Sequence, residues 1–357
     1  MKTYIKFLIN LFNISFFKVF VIFFSIILIS NVLEQAEFFK DVDLSFFYLI
    51  FLSFLNTPSI IFEILPFIFL LSTQIFFINL IGKNELEIFK YSGLNNFKII
   101  KIISIYTLIL GFIFIIAFYN ISSSLKNSYL LIKNQYSEDD KYLAVITNNG
   151  LWIKDINDQK ILIINAAKID QNFLINSYIS EFDENFINKR NIKSKKIDVS
   201  NKEWLIFDAE IFSQSFRERK EMIKIKTNFD YQIMQSLFSN LSSLSFLELL
   251  EMRSNYKKLN YSLTEVDLQL LKLFFLPFYL VLMTLISSII MMNTKKLRNK
   301  YIKIVIGLFS SVVIYYISNF FYVLGTTERI NLVVSIIIPL LFLLLINTYF
   351  IRDINAK

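Results

Sequence analysis

"GKNELEIFKYSGLNNFKIIK", residues 82–101, is a polar stretch set between two long apolar ones, and its reading decides the fold. It carries four lysines and two glutamates, more polar chain than a simple turn between helices needs. Residues 84–92 can form two helical turns, with Leu86 and Phe89 on one face. Glu87 and Lys90, three apart, can pair weakly across the other. Gly93 is placed for the left-handed position that stops a helix, and Asn95 or Asn96 for the cap of the next one. One reading is a short amphipathic knob, apolar on one side to fill a groove and charged on the other to fix register. The other is an ordinary loop whose lysines only mark a membrane side. Spacing alone leaves both open.

Working outward, the neighbours of this stretch are membrane spans. Hydrophobic residues make up 55% of the 357, with 40 phenylalanines against 6 glycines. Several runs reach the roughly 20 apolar residues a bilayer crossing requires. Six spans are expected, over residues 14–33, 60–81, 99–119, 273–292, 302–324 and 332–351. The first is too long for the apolar part of a signal peptide, and "ISNVLEQAEFF" offers no small-residue cleavage site. Lys18 can snorkel to the interface, and Glu63 lies near the end of its span.

Orientation follows from the short loops, because basic residues concentrate on the cytoplasmic side. Lys2, Lys6, Lys83, Lys90, Lys98, Lys101, Lys295, Lys296, Arg298, Lys300, Arg352 and Lys357 lie on one side. Only Lys40 and Arg329 lie on the other, among Glu34, Glu37, Asp41, Asp43 and Glu328. Both termini and the 82–101 stretch are therefore expected in the cytoplasm. The net charge of +8 is mostly this topological signal, and nucleic-acid binding is not expected.

Three regions result. Residues 1–119 hold spans one to three with the short helix at about 84–92. Residues 120–265 form a long polar insertion on the external side, and residues 266–357 hold spans four to six. The insertion has 20 basic and 19 acidic residues and mostly alternates with period two. "KYLAVITNNGLWIKD" turns at Asn148-Asn149-Gly150, and "KILIINAAKI", "FLINSYISEF", "WLIFDAEIF" and "EMIKIKTNF" read as strands. The fold class is an α-helical membrane protein with an inserted all-β, jelly-roll-like domain. After it, a helix capped by Ser245, with Leu247, Leu250, Ser254 and Tyr256 in its pattern, leads back to the membrane along the surface.

Catalytic chemistry is missing from the pattern. The chain has no cysteine and no histidine, which excludes thiolate and imidazole chemistry. Gly82-Lys83 lacks every other element of a phosphate-binding loop, and Asp139-Asp140 reads as a solvated turn. No catalytic, metal or cofactor residue is assigned, and any ATP used is hydrolysed by another chain.

Several stretches together resemble the LptF/LptG permeases of bacterial lipopolysaccharide export. "NELEIFKYSGLN" is similar to that family's Ser-Glu-Leu stretch, matching at Glu85, Leu86, Lys90, Ser92 and Gly93, with Asn84 and Tyr91 departing from it. Pro58 and Pro66 resemble the two prolines of its second span, and "NNGLWIKD" its Gly-Leu-Trp signature, in the LptG manner. Trp204 in "KEWLIFDAEI" and the stretch "SFLELLEMR" to Pro277 complete the order. The resemblance implies one inner-membrane permease that pairs with a second LptF/LptG-type permease and docks on a cytoplasmic ABC ATPase dimer. It further implies transfer of lipopolysaccharide to periplasmic jelly-roll bridge proteins. Residues 82–101 then hold the coupling helix, with Glu85, Leu86, Phe89, Lys90 and Gly93 as its working residues. Candidates for the lipid cavity are Phe20, Phe23, Phe24, Tyr315, Phe320 and Phe321, with Lys40 the sole basic residue near the external end of span one.

Other classes fit less well. A membrane-anchored receptor or scaffold presenting a β-domain has no use for six spans or the 82–101 stretch. A permease that drives external machinery without moving lipid usually has four spans. An intramembrane enzyme needs ionisable groups deep in its spans, where this chain has only the peripheral Glu63.

Overall fold

The computed structural model describes residues 3–42, 44–136, 151–157, 160–170, 172–213, 217–231, 233–234, 240–258, 261–292 and 299–355. The turn at Asn148-Asn149-Gly150, Asp139-Asp140 and the basic loop at 293–298 lie outside them. The chain divides into two compact units, Met1–Lys126 with Thr264–Lys357, and Asn127–Leu263.

The first unit is helical. Its elements are α1 (Thr3–Phe38), α2 (Phe46–Glu63), α3 (Leu65–Gly82), α4 (Glu85–Tyr91) and α5 (Asn96–Ile113). A π-helical turn, Phe114–Tyr119, joins α5 to α6 (Asn120–Asn134), which runs on into the second unit. After that unit, which contains α7 (Phe246–Lys258), come α8 (Thr264–Met292), α9 (Lys300–Thr326) and α10 (Leu332–Asn355). Seven helical segments among the described residues are long and apolar enough to cross a membrane, one more than the expected count. The extra one is α2, joined to α3 through the single non-helical residue Ile64. Polar side chains dilute its apolar run, yet these same groups face inward. Asn31 of α1 donates to Thr57 Oγ1 (3.0 Å), and Asn56 reaches Asn31 Oδ1 (3.5 Å). In apolar surroundings, such cross-helix bonds replace the hydrophobic drive that helices lack there.

Close approach fixes the remaining contacts. α3 packs against α1, α8 and α9, and α8 also packs against α5 and α10. A Cβ on Gly111 of α5 would sit 2.8 Å from the Cα of Pro277 in α8, so only glycine lets these backbones meet. Along α1, Phe12 and Phe16 pack on Phe69 of α3, with ring centroids 6.2 and 5.1 Å apart.

Among its described residues, the second unit holds one antiparallel sheet of six strands in chain order. They are β1 (Leu151–Asn157), β2 (Lys160–Asp170), β3 (Phe173–Asp183), β4 (Asn188–Asp198), β5 (Glu203–Phe212) and β6 (Arg217–Lys226). β4, "NKRNIKSKKID", was not among the expected strands, because its charges mask the two isoleucines, Ile192 and Ile197, that point into the core. One face of the sheet buries Leu151, Ile164, Ile179, Trp204 and Ile206 together with Phe229 and Met234. The two residues of the signature stretches close this face. Trp204 Nε1 donates to the Phe229 carbonyl (2.8 Å), while Asp155 accepts from the Asn228 backbone (3.0 Å) and side chain (2.7 Å).

Next comes α7 (Phe246–Lys258). Glu248 N–H donates to Ser245 Oγ (3.4 Å), and Ser245 N–H donates to Glu248 Oε2 (2.7 Å), a capping box. The buried side of α7 is Leu249 and Met252; Leu247 and Leu250, read from the sequence as part of the pattern, are exposed.

Within the sheet, buried Glu181 accepts from Lys160 Nζ (2.8 Å) and Arg190 Nε (2.6 Å). Burial alone raises its pKa, but these two donors outweigh burial and hold the carboxyl below its ordinary value. A depressed folded value means the stabilisation is complete above the unfolded pKa and is lost as pH falls through the folded one. Protection of β2–β4 amides from hydrogen exchange is therefore expected to fall as pH drops below the ordinary glutamate value of about 4.3. In Glu181→Gln the starting protection is lower and that step is absent; an unchanged step would assign it to another group.

Candidate functional site

The 82–101 stretch folds as the local chemistry requires. α3 ends at Gly82, Asn84 takes a left-handed conformation (φ 58°), and α4 begins at Glu85. Glu85 and Glu87 occupy its first turn and Lys90 its last, each suited to the helix dipole. At its end, Gly93 has φ +81°. Gly93 N–H donates to the Lys90 carbonyl and Leu94 N–H to the Phe89 carbonyl, both at 3.0 Å, the paired bonds of a Schellman stop. Asn95, not Asn96, caps α5 by accepting from Lys98 N–H at 2.9 Å.

The direction of α4 differs from the expectation. Leu86 is only 8% exposed, and Phe89 lies half-buried on Phe7 of α1 with ring centroids 5.8 Å apart. They do share a face, but it is turned onto the chain's own helices, because Phe7 offers an apolar partner there. The outward apolar side chains are Ile88, 60% exposed, and Tyr91, 91% exposed, flanked by exposed Glu87 and Lys90. Beside them is an open hollow of about 400 Å³ lined by Thr3, Tyr4, Phe7, Glu85, Ile88 and Phe89. Glu85 Oε2 is buried there without a hydrogen-bond partner. Leaving that oxygen buried and unpaired is costly, so any movement of α4 that uncovers it to a donor is favoured.

The candidate lipid-facing residues divide into two groups. Phe20, Phe23 and Phe24 are half-buried and pack inside the unit: Phe20 on Phe16 and Phe118, Phe23 on Phe67, Phe24 on Phe54. Tyr315 and Phe320 of α9 are well exposed, Phe321 is half-buried, and Lys40 is exposed just past α1. The outward residues of α1 are instead Phe17, Val21, Ile26, Ile29 and Leu33. Their spacing of three to five residues was available in the sequence, but an all-apolar helix hides which stripe faces outward. On α9 the matching stripe is Phe309, Tyr316, Phe320 and Val323.

Comparison with protein families finds one whose sequence model matches residues 6–353, nearly the whole chain: "Lipopolysaccharide export system permease LptF/LptG". Comparison with curated proteins returns no match.

Proposed function

The chain belongs to the LptF/LptG family, the inner-membrane permeases of lipopolysaccharide export, and on that premise we propose that it is one half of a permease pair driven by ATP hydrolysis in a partner subunit. Members of this family are the membrane subunit of a transporter and not themselves enzymes. The LptG-like signature at Leu151, Trp152, Lys154 and Asp155 favours the LptG position in the pair. α2 and α3 are joined at one residue, fewer than a helical hairpin needs to reverse direction, so we count them as a single broken crossing. Six crossings then place both termini and α4 in the cytoplasm and the sheet unit outside, as the basic loops require. The sheet is read as part of a jelly roll that hands lipid to periplasmic bridge proteins.

In this reading α4 is the coupling helix, but its working face is Ile88, Tyr91, Glu87 and Lys90, with half-buried Glu85 at its edge. Leu86 and Phe89 seat the helix on its own bundle. Gly93 and the Asn95 cap make the link to α5 short and stiff, so displacement of α4 is passed to α3 and α5. ATP binding shifts the permease only if the ATPase grips its two states with different affinity. The outward stripes of α1 and α9, both packed on α3, wall the lipid path with the second permease.

The full-length family match carries this reading. It is tested by purifying the chain from its native membrane in mild detergent and measuring lipopolysaccharide release with ATP. Recovery of a second permease and a P-loop ATPase is expected, with release falling at least tenfold in Glu85→Ala while the complex stays assembled. A chain recovered alone, or only with periplasmic proteins, would overturn it in favour of an anchored scaffold.

A further inference from the structure

Gln74 stands inside α3, eight residues before the helix ends at Gly82. It is fully buried, and its Nε2 donates to the Lys303 carbonyl of α9 at 2.9 Å. Gly307, one turn further along α9, leaves room for the amide: a Cβ there would collide with Nε2. Lys303 is itself buried, and its Nζ donates to the Met291 carbonyl at the end of α8 (2.8 Å). Ser287 of α8 closes the set by donating to the Leu70 carbonyl of α3 (2.8 Å). Three helices are thus tied into a triangle beside the end of α3 that leads into α4.

The amide is not there for packing. Its Oε1 is buried with no hydrogen-bond partner. An apolar side chain of similar volume would fill the same space and leave nothing unpaired. What Gln74 adds is the directed bond to α9. We infer that Gln74 is a positioning residue that carries the displacement of α4, through α3, to α9 and its exposed stripe of Phe309, Tyr316 and Phe320. The inference rests on the exporter reading above and gives it a specific route. α5 receives the same displacement through Gly93; α9 receives it by packing on α3 and through α8, and the Gln74 bond adds a direct, directional tie from α3.

Gln74→Met keeps volume and removes the donor, and the test uses the whole complex with lipopolysaccharide as the probe. Lipid released per ATP hydrolysed is expected to fall at least fivefold, with assembly and ATP hydrolysis near those of the parent. Because this chain has no cysteine, spin labels can be attached to it uniquely at Ser92→Cys, at the end of α4, and at Val305→Cys on α9, both exposed and outside the docking face and the named stripe. In Gln74→Met, nucleotide should still move the label on α4 as in the parent, while the movement of the label on α9 falls by at least half. Gly307→Ala, which pushes on the amide, should behave likewise; adding Gln74→Ala relieves the clash without restoring release. If the parent complex releases lipid, Glu85→Ala stops it and Gln74→Met leaves both ratio and label movement unchanged, the inference is overturned while the exporter reading stands. If the parent complex releases no lipid, the exporter reading itself fails, and the inference with it.

Discussion

A chain carrying Ile88→Asp together with Tyr91→Asp is expected to lose its ATPase partner during gentle-detergent purification while remaining folded in the membrane. Both side chains stand outside the permease, so charge there does not disturb its packing. Aromatic and aliphatic anchors at the centre of an interface each contribute about 2 kcal/mol or more when removed. Two together amount to about 4 kcal/mol, on the order of a thousandfold in affinity. Leu86→Ala is the informative contrast. It leaves the outward face intact and opens a gap beneath α4, lowering the chain's own stability by about 2–5 kcal/mol. Retention of the ATPase at parental stoichiometry by the double aspartate variant would show that another surface does the docking.

The second large effect concerns the sheet unit. The chain has two tryptophans, and both lie in stretches that resemble family signatures, yet their substitutions should differ widely. Trp204 is 0% exposed and hydrogen-bonded to the Phe229 carbonyl. Trp204→Ala is expected to destabilise the unit by about 3–5 kcal/mol, seen as lost amide protection across β5 and β6. Trp152 is 56% exposed on the outer face of β1. Trp152→Ala should stay within about 0.5 kcal/mol of the parent. Equal effects would mean that the face bearing Trp152 is covered in the assembled exporter.

Features set by neighbouring residues were legible in the sequence. The stop at Gly93 and the cap at Ser245 depend on local turn chemistry and stand where the spacing put them, and the cap expected at Asn95 or Asn96 is Asn95. Directions set by distant partners were not. Whether Leu86 and Phe89 point inward depends on Phe7, far away in the chain. α2 was hidden because Ser53, Asn56 and Thr57 look like loop residues until Asn31 is placed opposite them. Phe20, Phe23 and Phe24 are bulky and apolar, a description that fits equally well a wall of lipid and a neighbouring helix.

The joint at Ile64 has a mechanical consequence. Each half-helix beside it has 18 residues, an arm of about 27 Å at 1.5 Å per residue, so a lean of about ten degrees swings the far tip by roughly 5 Å. But α1 is continuous over 36 residues and lies along both arms as a splint. It is fastened to one arm by the Asn31–Thr57 bond and to the other by the rings of Phe12 and Phe16 on Phe69. Any swing must therefore bend the splint or unfasten one end of it, and the polar and aromatic fastenings on either side of the fulcrum divide the load between them.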